Sequence, residues 1–338
     1  MNGSHTVGSD SNGSNSELWH VESLVVSVIL GLSFLIGVPG NLLVIWTIHR
    51  HIKHRSHTVV LILNLAVCDF VVLITLPVWI YSLVDAWVFG ETLCKAMVYV
   101  IYSSMYGSVF LITLMSADRF VAIIYPFALQ YWKRKDVLFK AIAAVWILAF
   151  LFGIPVILSQ TADDIDGKPK CLDRVYATKT QEVGCLLLET LVGFAIPFSI
   201  LSICYLRVGK RIHQITFKTK PKSATLITSV VIAFAVCWFP YHVFNLIRIA
   251  STLMEGEQML AVVAETGVYI CGALVFISSC INPLLYAFAA RRFQGCMKES
   301  RITKLFQEIT TSTTRAKETN QTCLTPRMKR SAVSTVTV

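Results

Sequence analysis

Seven stretches of this sequence are long enough and apolar enough to cross a membrane as helices. Five of them contain no Asp, Glu, Lys or Arg, and the other two contain a single acid each. They occupy residues 23–48, 58–84, 96–117, 141–162, 183–206, 223–247 and 266–290. A helix needs about 20 residues to cover the hydrocarbon core, and backbone amides in lipid must be bonded within their own segment. The sequence therefore predicts an all-α integral membrane protein, with a seven-transmembrane helix bundle over residues 23–286.

The basic residues indicate which way the chain crosses the membrane. The connections at 49–57, 119–140 and 207–222 and the tail from Arg291 hold 24 of the 30 Lys and Arg residues. Basic loops stay in the cytoplasm, so residues 1–22 are predicted to form an extracellular N-terminal tail of a plasma-membrane protein. The net charge of +10 follows from this asymmetry. Because the basic residues flank spans and form no single patch, nucleic-acid binding is not expected.

Two sequence patterns predict covalent modification on opposite sides of the membrane. Asn2-Gly3-Ser4 and Asn12-Gly13-Ser14 are glycosylation acceptors, which belong on the extracellular side. Cys296 follows the basic stretch after the last span, where palmitoylation is predicted and a free thiol is the alternative.

Cysteines near the extracellular surface predict a disulfide. Cys94 stands at the outer end of the third span and Cys171 in the next outer loop, an oxidising location. Cys185 is close to the same surface and is the competing partner. We predict the pair Cys94–Cys171.

Few acidic, basic or histidine side chains lie at membrane depth, and such groups are by default candidates for function. They are Asp69, Glu189 and His242. If the third and seventh spans bring hydroxyl and amide oxygens to the depth of Asp69, they form a pocket for a small hard cation such as sodium. Its candidate residues are Asp69, Ser108, Ser278 and Asn282. The alternative is a protonated acid that only makes hydrogen bonds.

Charge pairing and prolines predict movable points along the bundle. Asp118 and Arg119 close the third span, where they can pair as a breakable latch or as an ordinary interfacial ion pair. Prolines are expected to kink the helices because each removes an internal hydrogen bond. They stand at Pro77, Pro155, Pro197, Pro240 and Pro283.

Taken in order along the spans, short motifs resemble those of rhodopsin-like (class A) G-protein-coupled receptors over nearly the whole chain. The motifs are Gly40-Asn41, Leu65-Ala66-x-x-Asp69, Cys94, Asp118-Arg119-Phe120, Trp146, Cys171, Pro197, Tyr205, Trp238-x-Pro240 and Asn282-Pro283-x-x-Tyr286. One departure is Phe120, where the family usually has Tyr. The resemblance implies a receptor and no enzyme. It also implies a sodium pocket at Asp69, Ser108 and Asn282, and a toggle at Trp238 under the ligand. The residues implied in G-protein coupling and switching are Asp118, Arg119, Tyr205, Pro283 and Tyr286.

Beyond the last span, the sequence predicts two further segments. Residues 287–298 are expected to form a short amphipathic helix 8 on the inner leaflet, with Phe288 and Phe293 dipping into the lipid. Residues 299–338 have few large apolar side chains and are expected to be a disordered cytoplasmic tail. In the family that the chain resembles, such a tail is phosphorylated by receptor kinases and bound by arrestin.

The chain is most similar to the leukotriene B4 receptors within this class. The similar segments are Gly37-Val38-Pro39-Gly40-Asn41, Ser104-Met105-Tyr106-Gly107-Ser108-Val109, Glu189-Thr190-Leu191-x-x-Phe194 and Pro240-Tyr241-His242-x-x-Asn245-Leu246. The predicted ligand-binding residues are Tyr102, Tyr106, Glu189, Trp238, Tyr241, His242, Asn245 and Arg248. The chain departs from these receptors at Gln160 and Val268, where arginines are expected. Arg248 is the predicted replacement cation for a ligand carboxylate, with Lys95 and Arg174 behind it.

These patterns predict a receptor for a chemoattractant lipid mediator, most closely leukotriene B4, that signals through an inhibitory-type G protein. Acids in the outer loops keep a chemoattractant peptide open as the alternative, along with another oxidised fatty acid. A transporter or channel is remote, because no inverted repeat is visible. Catalysis is not expected, because no nucleophile, base and orienting group recur at workable spacing and the sequence shows no metal-ligand cluster. No cofactor is expected apart from the sodium ion.

Overall fold

In the computed structural model, seven helical segments of the described residues are long and apolar enough to cross a membrane. The structure describes residues 10–52, 55–125, 135–165, 168–171, 174–215, 222–254 and 258–291, together with Gln307. The spans, numbered in chain order, are Val21–His51, His57–Val84, Gly90–Ile124, Asp136–Ser159, Lys179–Lys210, Thr228–Leu253 and Met259–Tyr286. The predicted all-α membrane bundle is confirmed.

Nine α-helices and one π-helix build these spans in the described part of the chain. They are α1 (Asp10–His51), α2 (His57–Leu73), α3 (Leu76–Val84), α4 (Gly90–Ile124), α5 (Lys135–Ser159), α6 (Lys179–Thr190), the π-helix (Leu191–Ala195), α7 (Ile196–Ile215), α8 (Lys222–Leu253) and α9 (Gln258–Arg291). Spans 2 and 5 are therefore interrupted. The interruptions stand beside Pro77 and Pro197, each close to the start of a new helix, where the missing N–H costs least.

The helices extend beyond the apolar stretches that predicted them, because span ends lie at the water boundary and tolerate polar residues. Helix α4 runs from Gly90 to Ile124, although its charge-free stretch covers only 96–117. Helix α1 begins at Asp10, so the backbone of residues 10–22 is helical. Helix α9 continues to Arg291.

Several predicted features lie wholly or largely outside the described residues. These are Asn2, Cys296, most of the amphipathic helix over 287–298 and the tail over 299–338 except Gln307. The side chain of Asn12 is likewise not described. All of these remain predictions.

Spans 1, 2 and 7 approach one another closely because small residues face the contact. A Cβ atom at Gly37 would lie 2.5 Å from Leu73 Cδ1 and 2.9 Å from Cys280 Cβ. Asn41 then joins spans 1 and 7, since its Nδ2 donates to the carbonyls of Gly37 and Ser279, each at 3.0 Å. This contact fixes the position of span 7 and of the polar residues it carries.

The connection between α5 and α6 folds back over one end of the bundle. Its strands β1 (Asp163–Ile165) and β2 (Lys168–Lys170) form an antiparallel hairpin. The disulfide Cys94–Cys171 ties this connection to α4, with the two Cα atoms 5.8 Å apart. The predicted pairing is thus confirmed, and Cys185 is free. We call this end of the molecule the disulfide end and the opposite one the Arg119 end.

Candidate functional site

A cavity of about 210 Å³ lies between the spans toward the disulfide end. Most of its wall is apolar and comes from spans 1, 2, 3 and 7. Representative apolar wall residues are Leu30, Trp79, Val98, Ile101, Met105 and Phe276. An apolar cavity with a few convergent polar groups is the usual form of a small-molecule site.

The polar side of the cavity is one network, formed by Arg174, Glu189, Tyr241 and Tyr102. Arg174 Nη1 donates to Glu189 Oε2 at 2.8 Å, and the Tyr241 hydroxyl donates to Glu189 Oε1. The hydroxyls of Tyr102 and Tyr241 lie 3.2 Å apart. The guanidinium carbon of Arg174 stands 4.7 Å from the centre of the Tyr102 ring, in cation–π contact. We call these four residues the Arg174 network; it joins the α5–α6 connection to spans 3, 5 and 6.

Arg174 is held in place by the folded-back connection. Gln160 and Arg174 form an antiparallel β-bridge, and Val175 N donates to Ser159 O at 2.8 Å. Burial by itself would lower the pKa of Arg174, but the electrostatic interactions with Glu189, Tyr241 and Tyr176 and the hydrogen bond to Glu189 together outweigh it and hold that pKa well above its usual value. The side chain is 15% exposed. The cavity wall therefore carries a fixed positive charge.

The structure brings five of the predicted ligand-binding residues to this cavity: Tyr102, Tyr106, Glu189, Trp238 and Tyr241. His242, Asn245 and Arg248 do not line the cavity, and their contact with a ligand stays a prediction. His242 and Asn245 are buried behind the wall. Arg248 Nε instead donates to Glu182 Oε1 at 2.8 Å, between spans 6 and 5.

Arg174 lines the cavity, although the sequence favoured Arg248 over it as the cation for a ligand carboxylate. A helical position can be extrapolated from its neighbours, whereas a loop residue depends on how the loop returns to the bundle. The signal was nonetheless present, because Arg174 follows Cys171 by three residues and the disulfide fixes that point of the loop. Lys95, the other reserve cation, pairs with Glu91 of its own helix.

A second, much smaller cavity of about 10 Å³ surrounds Asp69 at the centre of the bundle. Ser108 Oγ donates to Asp69 Oδ1 at 3.3 Å, and Asn282 Nδ2 donates to Oδ2 at 2.8 Å. Ser278 also lines it, and its Oγ accepts from Trp238 Nε1 at 3.3 Å. The four residues predicted for a sodium pocket thus meet in space. The volume suits one water-sized guest, and the oxygen groups suit a hard cation.

The Arg119 end carries the predicted ion pair and one further partner. Arg119 Nη2 lies 3.8 Å from Asp118 Oδ2, while His57 Nδ1 lies 3.6 Å from Asp118 Oδ1. The sequence did not predict His57, because it begins α2, well before Asp118 in α4, and only the fold brings the two residues together. Tyr205 packs at the edge of the same apolar core that contains the buried Tyr286.

Comparison with known proteins agrees with this architecture. A family model described as "7 transmembrane receptor (rhodopsin family)" matches residues 40–286. This chain belongs to that family. As a rhodopsin-family receptor it is a multi-pass plasma-membrane protein and not an enzyme.

Leukotriene B4 receptor 1 sequences are similar to this rhodopsin-family chain. The rat protein (Rattus norvegicus) is 35% identical over 270 residues, which cover 79% of this chain and 77% of the relative. The human protein (Homo sapiens) is 34% identical over 274 residues, covering 79% and 77%. The bovine protein (Bos taurus) is 33% identical over 272 residues, covering 79% and 78%. The resemblance predicted from the span motifs is confirmed.

Proposed function

We propose that this rhodopsin-family receptor binds a hydroxylated fatty acid, leukotriene B4 or a close chemical relative, and acts on an inhibitory-type G protein. In this proposal the disulfide end and residues 1–22 face the outside of the cell. The observation that carries the proposal is the apolar cavity whose wall includes the largely buried cation Arg174. Such a site matches a long apolar chain that ends in a carboxylate.

Arg174 has capacity for a ligand carboxylate. Its guanidinium carries five N–H donors in a planar fork, more than the single carboxylate of Glu189 uses. A ligand carboxylate that approaches Arg174 also meets the negative charge of Glu189, so the two carboxylates compete for one cation. In the receptor without ligand, Glu189 therefore occupies the position beside Arg174, and the ligand carboxylate partly displaces it.

Displacement at Glu189 provides a route to span 6. Tyr241 donates to Glu189, and Trp238 stands nearly one helical turn earlier on the same helix. Trp238 in turn donates to Ser278 beside the Asp69 cavity. A ligand that favours a different arrangement of Glu189 and Tyr241 shifts the population of span 6 positions, and with it the Arg119 end. Arg119, Tyr205, Pro283 and Tyr286 are the residues proposed to respond there.

The relatives support the lipid class of the ligand. Leukotriene B4 receptors of three mammals share about a third of their residues with this chain over 79% of its length. The family resemblance and the hydroxyl-rich tail sequence support the proposal that receptor kinases phosphorylate the tail and that arrestin binds it.

The proposed function predicts a specific signalling response. Cells that express the full chain are treated with leukotriene B4, other oxidised fatty acids and chemoattractant peptides, and cyclic AMP is measured after adenylyl cyclase stimulation. We expect leukotriene B4 to lower cyclic AMP, and purified inhibitory G protein to exchange nucleotide faster than stimulatory G protein. Silence toward leukotriene B4 at micromolar concentration, with a response to a peptide, would contradict the proposal.

A sodium ion at Asp69 predicts ion-dependent stability. Sodium should raise the Tm of the purified receptor relative to choline, because an ion that binds only the folded state stabilises it by about 1.4 kcal/mol at tenfold over its Kd. Asp69→Asn should remove this increment. Glu91→Gln, which neutralises an exposed acid at the disulfide end, should retain it. An equal sodium increment in Asp69→Asn would assign the ion elsewhere.

A further inference from the structure

His242 is a buried polar group that the Arg174 network does not use. His242 is 2% exposed, and neither of its ring nitrogens makes a hydrogen bond with any residue that the structure describes. Buried polar atoms in folded proteins almost always have a partner, so an exception calls for an explanation. In a membrane protein such a titratable group is costly and is by default a candidate for function.

The faces of the His242 ring are occupied by aromatic neighbours. The ring stacks on Phe194, with centroids 5.1 Å apart, and on Trp238, with centroids 5.8 Å apart. The interplanar angles are 27° and 17°. These contacts hold the ring in one plane. Polar contact with a ligand is therefore left to the edge that carries the nitrogens.

Gly193 separates that edge from the ligand cavity. Gly193 lines the cavity, whereas His242 stands directly behind it. A Cβ atom built on Gly193 would lie 3.8 Å from His242 Nε2 and 3.6 Å from Tyr106 Cε1. An oxygen atom at that position would have to move by only about 1 Å to reach hydrogen-bond distance from His242 Nε2. Gly193 also lies in the π-helix of span 5, and π-helical turns are frequent at functional sites.

We propose that Gly193 and His242 form a second polar subsite, which binds a hydroxyl or carbonyl oxygen carried along the chain of the lipid. This proposal rests on the proposed function and adds a determinant of specificity to it. A neutral imidazole has one donor and one acceptor, so it can bond either oxygen type. Gly193 follows Glu189 by four residues, so the two residues lie about 6 Å apart along span 5. The receptor therefore selects ligands with a polar oxygen at a set distance from the carboxylate.

Stability without ligand tests whether His242 is free for this role. His242→Phe keeps the stacked aromatic ring and removes the two ring nitrogens. Because these nitrogens make no hydrogen bond with the residues that the structure describes, Tm should stay unchanged or rise. Tyr241→Phe, at the neighbouring position, removes a hydroxyl that is bonded to Glu189 and should lower Tm. A Tm loss in His242→Phe as large as in Tyr241→Phe would show that His242 supports the fold, and would overturn the proposal.

Ligand discrimination tests the subsite itself. Leukotriene B4 is compared with analogues in which one chain hydroxyl is replaced by hydrogen, and the potency ratio is measured for each variant. One hydroxyl should contribute about fivefold to tenfold in the unaltered receptor. Gly193→Ala fills the gap at ordinary contact distance, and it should bring that ratio close to one, as should His242→Phe.

Gly272→Ala is the matched control for this comparison. Gly272 lines the same cavity, and a Cβ atom there would lie 3.8 Å from the Tyr241 ring, again an ordinary contact. It should shift both ligands alike and keep their ratio. An unchanged ratio in Gly193→Ala would overturn the subsite. If the unaltered receptor ignores leukotriene B4, the proposed function fails, and the Tm comparison alone then decides whether His242 is free.

Discussion

Arg174→Ala should weaken leukotriene B4 binding by about a hundredfold, measured with labelled ligand on membranes. Removing one partner of a buried, hydrogen-bonded charge pair typically costs about 2–5 kcal/mol, and each 1.4 kcal/mol is tenfold in Kd. The ligand carboxylate would lose the cation that lines the cavity. Since the substitution also leaves Glu189 buried without its partner, the double variant Arg174→Ala with Glu189→Gln should be measured beside it.

Arg248→Ala is the matched control for Arg174. Both arginines donate to a glutamate of α6 at 2.8 Å, but Arg174 lines the cavity and Arg248 does not. The Arg248 side chain is also more exposed, at 26%, and partly exposed ion pairs contribute little, typically under about 1 kcal/mol. We expect Arg248→Ala to change Kd by less than about fivefold. A large loss in Arg248→Ala with none in Arg174→Ala would restore the assignment that the sequence favoured.

Cys94→Ser and Cys171→Ser should each abolish high-affinity binding and reduce the amount of folded receptor at the cell surface. The bond closes a loop with a sequence separation of 77, and removing a native disulfide typically costs about 2–5 kcal/mol. The connection that carries Arg174 is tied to α4 through this bond. Ligand binding should therefore fall further than surface expression does, which flow cytometry with an N-terminal epitope tag measures in parallel.

Cys185→Ser serves as the comparison for the disulfide. Cys185 lies near the same end and was the competing partner, but it is a free cysteine. Its substitution should preserve both surface expression and Kd. Equal losses in Cys185→Ser and Cys171→Ser would indicate that the bond pairs differently.

The sequence predicts the spans well because a transmembrane helix needs only a long stretch of apolar residues without charges, and such a stretch is visible in the sequence itself. Length without charge identifies each helix, as for the stretch 266–290, which lies within α9. Interruptions were less predictable. Pro77 and Pro197 were expected to kink helices and instead stand where new helices begin, while the π-helix before Pro197 has no sequence signal that we recognise.

The cavity shows what the sequence leaves undetermined. Glu189 and Tyr241 were predicted as polar groups at membrane depth, and they do meet. Residues on one helix, however, differ in depth and rotation by amounts that a motif does not specify, so Arg248 and His242 were placed in a wall that neither lines. Arg174 entered that wall through a loop whose course depends on a disulfide and a β-bridge with Gln160.

The most direct test of the account is the potency of leukotriene B4 relative to its methyl ester, which keeps the chain and hydroxyls but removes the negative charge. In the unaltered receptor the acid should be far more potent than the ester. In Arg174→Ala the ratio should fall to near one, and in Arg248→Ala it should stay high. A ratio that persists in Arg174→Ala would contradict the claim that Arg174 binds the ligand carboxylate.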